Sequence, residues 1–219
     1  MGPDYRKDRD PEESSRHFVD LERYGEFPFS LLELDYDHLV SQLGEETVQR
    51  NGTGLWAAHG TFNRLVEAFQ RRDLEQILLY CSDLSHYVAD LHQPFHTTEN
   101  YDGQLTGQVG IHSRFESDLV NLYLDQVPFS EAAPTHLGQV LPRLYEIVLE
   151  SYQWVDKILL ADRRIVSELG IDRKQYPDQY FRRLFDQVGA VMETRLNQAA
   201  QRVGSLWWMA WERAGQPEF

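Results

Sequence analysis

Cys81 is the chain's one cysteine, which excludes an intrachain disulfide. Nowhere does an apolar run approach the length that crosses a bilayer, and residues 1–16, MGPDYRKDRDPEESSR, lack the apolar stretch of a secretory leader. Basic residues are also scarce. The 21 Lys and Arg face 35 Asp and Glu, and the formal charge of −14 argues against broad affinity for nucleic acid or an anionic membrane. A nucleic acid substrate stays open, because bound cations would make a site locally positive. Strand-like alternation, internal repeats and low-complexity tracts are missing too. The expectation is an all-α fold, and 219 residues suffice for a single domain over 1–219, with 1–16 a charged N-terminal stretch.

The helical signals are strong. Asp73, followed three residues later by Gln76, marks a helix start, and Gln93-Pro94 marks its stop. On that helix Ile77, Cys81, Leu84, Val88 and Leu91 share one apolar stripe, so Cys81 reads as a packed core thiol. Further helices are expected from near Asp35, over Leu55–Gln70, from near Ser113, over Leu137–Leu169 with Pro142 in its first turn, and over Asp178–Arg213. Asn51-Gly-Thr-Gly54 and the stretch from Phe129 to Pro134 read as loops. Trp207, Trp208 and Trp211 sit at spacings that favour packing between helices over a membrane belt, and His59 reads as a packed or capping histidine.

Chemistry concentrates between His86 and Glu116, a stretch with four of the eight histidines. His86 and Asp90 are four apart on the helix face opposite the apolar stripe. His112 and Glu116 repeat the spacing at the start of the next helix, and His96 lies in the turn after Pro94, which could hold it rigidly. Imidazoles and carboxylates in such density are costly to bury unless paired or bound to metal, so the pattern points to metal ligation. His92, two past Asp90, falls off that face and reads as structural.

These residues carry a resemblance. HYVADLHQPFH followed by GIHSRFE resembles the metal-binding core of the zinc-dependent phospholipase C and single-strand-specific zinc nuclease superfamily, in which a His-x3-Asp-x5-His run precedes His-x3-Glu or His-x3-Asp. His17-Phe18-Val19-Asp20 is similar to the superfamily's His-Phe-hydrophobic-Asp element, and the Trp-rich end through Pro217 to its closing segment. Glu116 in last place leans toward the phospholipases, whereas the Asn100–Gln108 loop is closer to the bacterial nucleases. Ala89 and the position of Asn100 depart from the common pattern.

The resemblance implies an all-α, multi-helix fold with a multinuclear zinc site between core helices. It implies one ion on His17, His86 and Asp90, with Asp4 as a further ligand, and a second on His96, His112 and Glu116. A metal-binding Asp is expected 14 or 15 residues before His17; Asp4 stands 13 before it. The superfamily's third ion uses an N-terminal Trp and His, and neither stands at the start of this sequence, so two Zn²⁺ are expected, with Asp90 bridging to a third only if a further segment precedes the chain. Members are typically exported, an expectation that the charged N-terminus does not match. The implied reaction is hydrolysis of a phosphodiester, a phospholipid headgroup or single-stranded nucleic acid, by a metal-activated water. Asp4 and Asp90 are the candidate catalytic carboxylates, and Phe18 and Tyr101 the candidate substrate contacts. Two rival readings stand beside it. A di-iron oxidase would need Glu-x-x-His pairs, which are absent from this pattern. A catalytically impaired, zinc-stabilised helical protein is the other.

Overall fold

The computed structural model describes residues 2–219. Residues 2–34 are irregular apart from tight single turns at Pro3–Arg6, Glu13–His17 and Leu21–Tyr24. Fully buried Val19, Leu21 and Tyr24 anchor this segment to the core. Helix α1 (Tyr36–Leu43) starts where expected, Asp35 accepting a hydrogen bond from the His38 amide. Gly44, with φ of 82°, ends it and starts the short α2 (Glu45–Arg50).

Helices α3 (Gly54–Arg71) and α4 (Leu74–His92) form an antiparallel hairpin through Arg72 and Asp73, and Asp73 caps α4 by accepting from the Gln76 amide at 3.1 Å. Ile77, Leu84, Val88 and Leu91 are buried as the stripe requires, with Cys81 half-buried beside them and its thiol pushed up to about 11 by burial. Gln93 and Pro94 end α4, and a tight turn over Pro94–Thr97 follows. The expected helix near Ser113 begins at Ile111 and runs as α5 (Ile111–Ser113), a wide i→i+5 turn over Arg114–Asp118, and α6 (Leu119–Tyr123).

The expected continuous helix over Leu137–Leu169 is instead two, α7 (Val140–Tyr152) and α8 (Val155–Leu169). Trp154 donates to the Ser151 carbonyl at 3.1 Å, an i→i+3 bond that tightens the chain between them. The reason is packing: α7 feeds Leu144, Ile147 and Val148 into the core built by α3 and α4, whereas α8 feeds Ile158, Ala161 and Ile165 into a second core against α9. Periodicity continues through the break because both halves bury an apolar stripe.

Helix α9 (Asp178–Arg213) ends as expected and joins the two cores, with Leu184, Val188 and Met192 in one and Leu206, Met209 and Ala210 in the other. Between them Arg195 and Arg202 are buried cations, paired with Glu150 at 3.1 and 2.7 Å; Arg195 also donates to the His92 carbonyl. Trp208 packs on the first core as expected; Trp207 is exposed and donates to the Cys81 carbonyl, and Trp211 donates to the Pro217 carbonyl in the following tail. Among the described residues there is no strand, and no helix is long and apolar enough to cross a membrane.

Candidate metal centre

The two halves of the site are positioned differently. In the second half, Gln93 accepts from the Phe95 amide at 2.8 Å and sets the turn that carries His96. The His96 Nδ1–H donates to the His17 carbonyl at 2.8 Å, since a carbonyl can only accept, so Nε2 keeps its lone pair and turns to His112 Nε2 at 3.1 Å and Glu116 Oε2 at 3.6 Å. His112 Nε2 meets Glu116 Oε2 at 2.5 Å across the expected four-residue spacing, and Gln93 Nε2 donates to the same carboxylate at 3.2 Å. Behind them the buried Arg114 ties the preceding loop to α8 and α9. It donates to the Gln108 and Val109 carbonyls, to Tyr180 and to the fully buried Asp162. Gly110, at φ of 86°, lets the chain pass Arg114, whose Nη1 would lie 2.7 Å from an added Cβ.

The first half is assembled across the fold. His17 Nδ1 lies 3.0 Å from His86 Nε2 and 2.8 Å from Asp90 Oδ2, and His86 lies 3.3 Å from the same oxygen. Asp4 stands at the edge, its oxygens 3.6 Å from His86 Nε2 and 4.0 Å from His17 Nδ1, while Lys7 holds it at 2.7 Å. The N-terminal segment reaches this place because Phe18 passes close over the start of α3. Gly54 donates to the Phe18 carbonyl, and an added Cβ at Gly52 would lie 2.3 Å from that oxygen. Arg6 clamps the segment to α4 through Asp83 and Tyr87.

Six of the seven expected ligands therefore gather in the two expected groups of three, and Asp90 joins the first through His17 and His86; its Oδ1 lies 3.5 Å from His96 Nδ1, the nitrogen on the His17 carbonyl side of that ring. A zinc–nitrogen bond of about 2.0–2.1 Å in a tetrahedral site places donor atoms about 3.3 Å apart. The pairs above scatter around that value, and the bond from His96 Nδ1 to the His17 carbonyl is the kind that fixes a ligating imidazole, so the donor set fits such an ion. His92 keeps its expected structural role: Nδ1 donates to the Val88 carbonyl, Nε2 accepts from Arg202, and burial beside Arg195 pushes its pKa well down.

Electrostatics separates the groups further. Burial raises the Glu116 carboxyl, yet hydrogen bonds from His112 and His96 outweigh it and hold the group far below the usual carboxylate range. For His96 burial lowers the pKa, and Glu116 and Asp90 more than offset it, so it is raised. Asp4 is lowered, Lys7 and His86 outweighing its partial burial.

A cleft of 450 Å³ opens on the site, lined by His17, His96 and His112 together with the expected Phe18 and Tyr101. It also holds Lys7, Arg50 and Asp20, none of which the spacing pattern had marked as site residues. Burial, then Glu22 and Glu99, push the Asp20 carboxyl up to about 7, against a smaller pull from Arg23. An apolar cavity of 190 Å³ that includes Phe115, Met192 and Leu196 shares Asp90 and Glu116 as lining. Sequence reading also missed Glu13, although it stands four residues before His17; the charged run around it hid that spacing. No protein-family model matches this sequence, and no curated protein matches it as a relative.

Proposed function

We propose that the protein is a zinc-dependent hydrolase of phosphodiesters. The observation that carries this reading is the pair of His/carboxylate groups, the first joined by Asp90, opening on one cleft. Zinc bound there supplies Lewis acidity toward phosphoryl oxygens and lowers the pKa of water to about 7. The resemblance of HYVADLHQPFH and GIHSRFE to the zinc phospholipase and nuclease core supports the same chemistry.

The chain's own residues divide the remaining work. His17, His86, Asp90 and Asp4 would hold one ion, and His96, His112 and Glu116 the other. Lys7 and Arg50 put cations on the cleft wall, suited to an anionic ester and unfavourable to a cationic headgroup. Phe18 and Tyr101 offer faces on which an organic group can stack. Proton transfer near neutrality suits Asp20, poised at about 7, better than Asp4, whose lowered pKa makes it a weaker base.

The test is zinc content per chain by elemental analysis, followed by turnover of a chromogenic phosphodiester with and without chelator. Two ions per chain, with activity that chelator abolishes and zinc restores, is the expected result. Bound zinc that raises the melting temperature without any turnover of lipid, single-stranded nucleic acid or chromogenic esters overturns hydrolysis and favours the zinc-stabilised helical protein.

A further inference from the structure

We propose that Glu13 is the positioning carboxylate of His17. It accepts the Nε2 proton and so fixes Nδ1 as the nitrogen offered to the first ion, an inference that rests on the metal reading above.

His17 is buried, and every donor of its group gathers at one edge of the ring: Asp90 at 2.8 Å, His86 at 3.0 Å and Asp4 at 4.0 Å all face Nδ1. A neutral imidazole that gives Nδ1 to a cation carries its proton on Nε2. Among the described residues that nitrogen is buried without a hydrogen-bond partner, and it faces Glu13 Oε1 at 3.6 Å. A shift of roughly half an ångström closes the gap to hydrogen-bonding distance.

Glu13 is built for this place. The residue is fully buried on the turn that ends in His17, where an isolated carboxylate would be very costly. Arg6 at 3.2 Å and Arg16 at 3.0 Å both donate to Oε2, whereas among the described residues Oε1 accepts from Tyr87 alone, at 2.5 Å, and retains a lone pair for His17. Tyr87 follows the ligand His86 directly and packs edge-on against the His17 ring. The second group uses the same device with a different acceptor, since His96 is turned by its bond to the His17 carbonyl. Carboxylate or carbonyl acceptors behind ligating histidines raise ligand basicity and lock the ring.

The alternative is that Glu13 only fastens the N-terminal segment through its arginines. Zinc affinity, read by competition with a chromophoric chelator on the full chain, separates the two. The wild type is expected to bind two ions. Glu13→Gln is expected to weaken one of them about ten- to a hundred-fold and leave the other unchanged, the weakened ion being the one that His17→Gln abolishes. Arg16→Gln, which removes the ion pairs to Asp10, Glu12 and Glu13 but keeps the Glu13 carboxylate, is expected to leave both affinities unchanged. Equal weakening by Glu13→Gln and Arg16→Gln, or none by Glu13→Gln, overturns the positioning role while the metal reading stands. A wild type that binds no zinc overturns both. Should Glu13→Gln fail to fold, the ¹⁵N shifts of His17 in the zinc-loaded wild type decide the matter. A proton on Nε2 and a metal on Nδ1 is the expected state, and the reverse tautomer sinks the proposal.

Discussion

His96, His112 and Glu116 lie within one stretch of chain, whereas His17 reaches His86 and Asp90 across 69 and 73 residues. The near group is held by local turns and by a buried network running through Arg114 to Asp162. The far group depends on an irregular N-terminal segment clamped at Arg6, Glu13 and Tyr87. In the far group regular structure supplies His86 and Asp90, both on α4, and only His17 and Asp4 come from the irregular segment. That segment relies on charged side chains in place of helical hydrogen bonds to hold its two residues against the helix.

The largest expected effect falls on the far group. Asp90→Asn removes a ligand that meets both His17 and His86 and should abolish phosphodiester turnover, weakening the first ion by more than the roughly hundred-fold that changes behind a ligand cost. Glu116→Gln should weaken only the second ion and leave measurable activity. Equal, small losses in the two variants would disprove the larger role given to Asp90.

Asp162→Asn sharpens the contrast from the other side. It leaves Arg114 buried without its anionic partner and should lower stability by about 3–5 kcal/mol. Denaturant titration reads that loss, and zinc competition should show the second ion weakened with the first untouched. A variant as stable as the wild type would mean that the Arg114 network does not hold the loop.

A smaller, pH-dependent effect is expected of the second group. His96 has a raised folded pKa, so its contribution to the stability of the metal-free protein is fully present below the ordinary value of about 6.5 and is lost as pH rises through the raised value. Zinc binding needs the neutral ring, so zinc affinity rises over that same interval. Asp20, protonated up to about 7 when folded, also makes metal-free stability fall with rising pH, and the comparison is cleanest in Asp20→Asn. His92, whose folded pKa is lowered, makes stability rise with pH up to about 6.5, so melting curves of that variant should fall without zinc above that pH, while its zinc affinity climbs. A flat metal-free profile would remove His96 as the titrating group.

The smallest effect is at the cleft wall. Tyr101 is 55% exposed on the cleft wall and is not one of the expected ligands, so Tyr101→Ala should leave zinc content alone and raise KM by about five- to tenfold, the lower end of the 1–3 kcal/mol for one stacked ring. An unchanged KM for every ester tested would take Tyr101 out of the substrate site.

How much of this was legible in the chain follows from distance along it. The four-residue spacing of His86 with Asp90 and of His112 with Glu116, the Asp73 cap and the Pro94 stop are written in 3.6-residue periodicity, which neighbouring residues impose by themselves. So are the bounds of α9 and the all-α class. The break between α7 and α8 was not legible, because it serves two cores whose other walls lie elsewhere in the sequence. Nor could spacing show that Asp20, Lys7 and Arg50 share a cleft, or that Glu13 stands behind His17 within a run of solvated charges. Those placements depend on side chains meeting across the fold, where burial and ion pairing of the N-terminal segment against α4, and not the local helical repeat, decide what lies next to what.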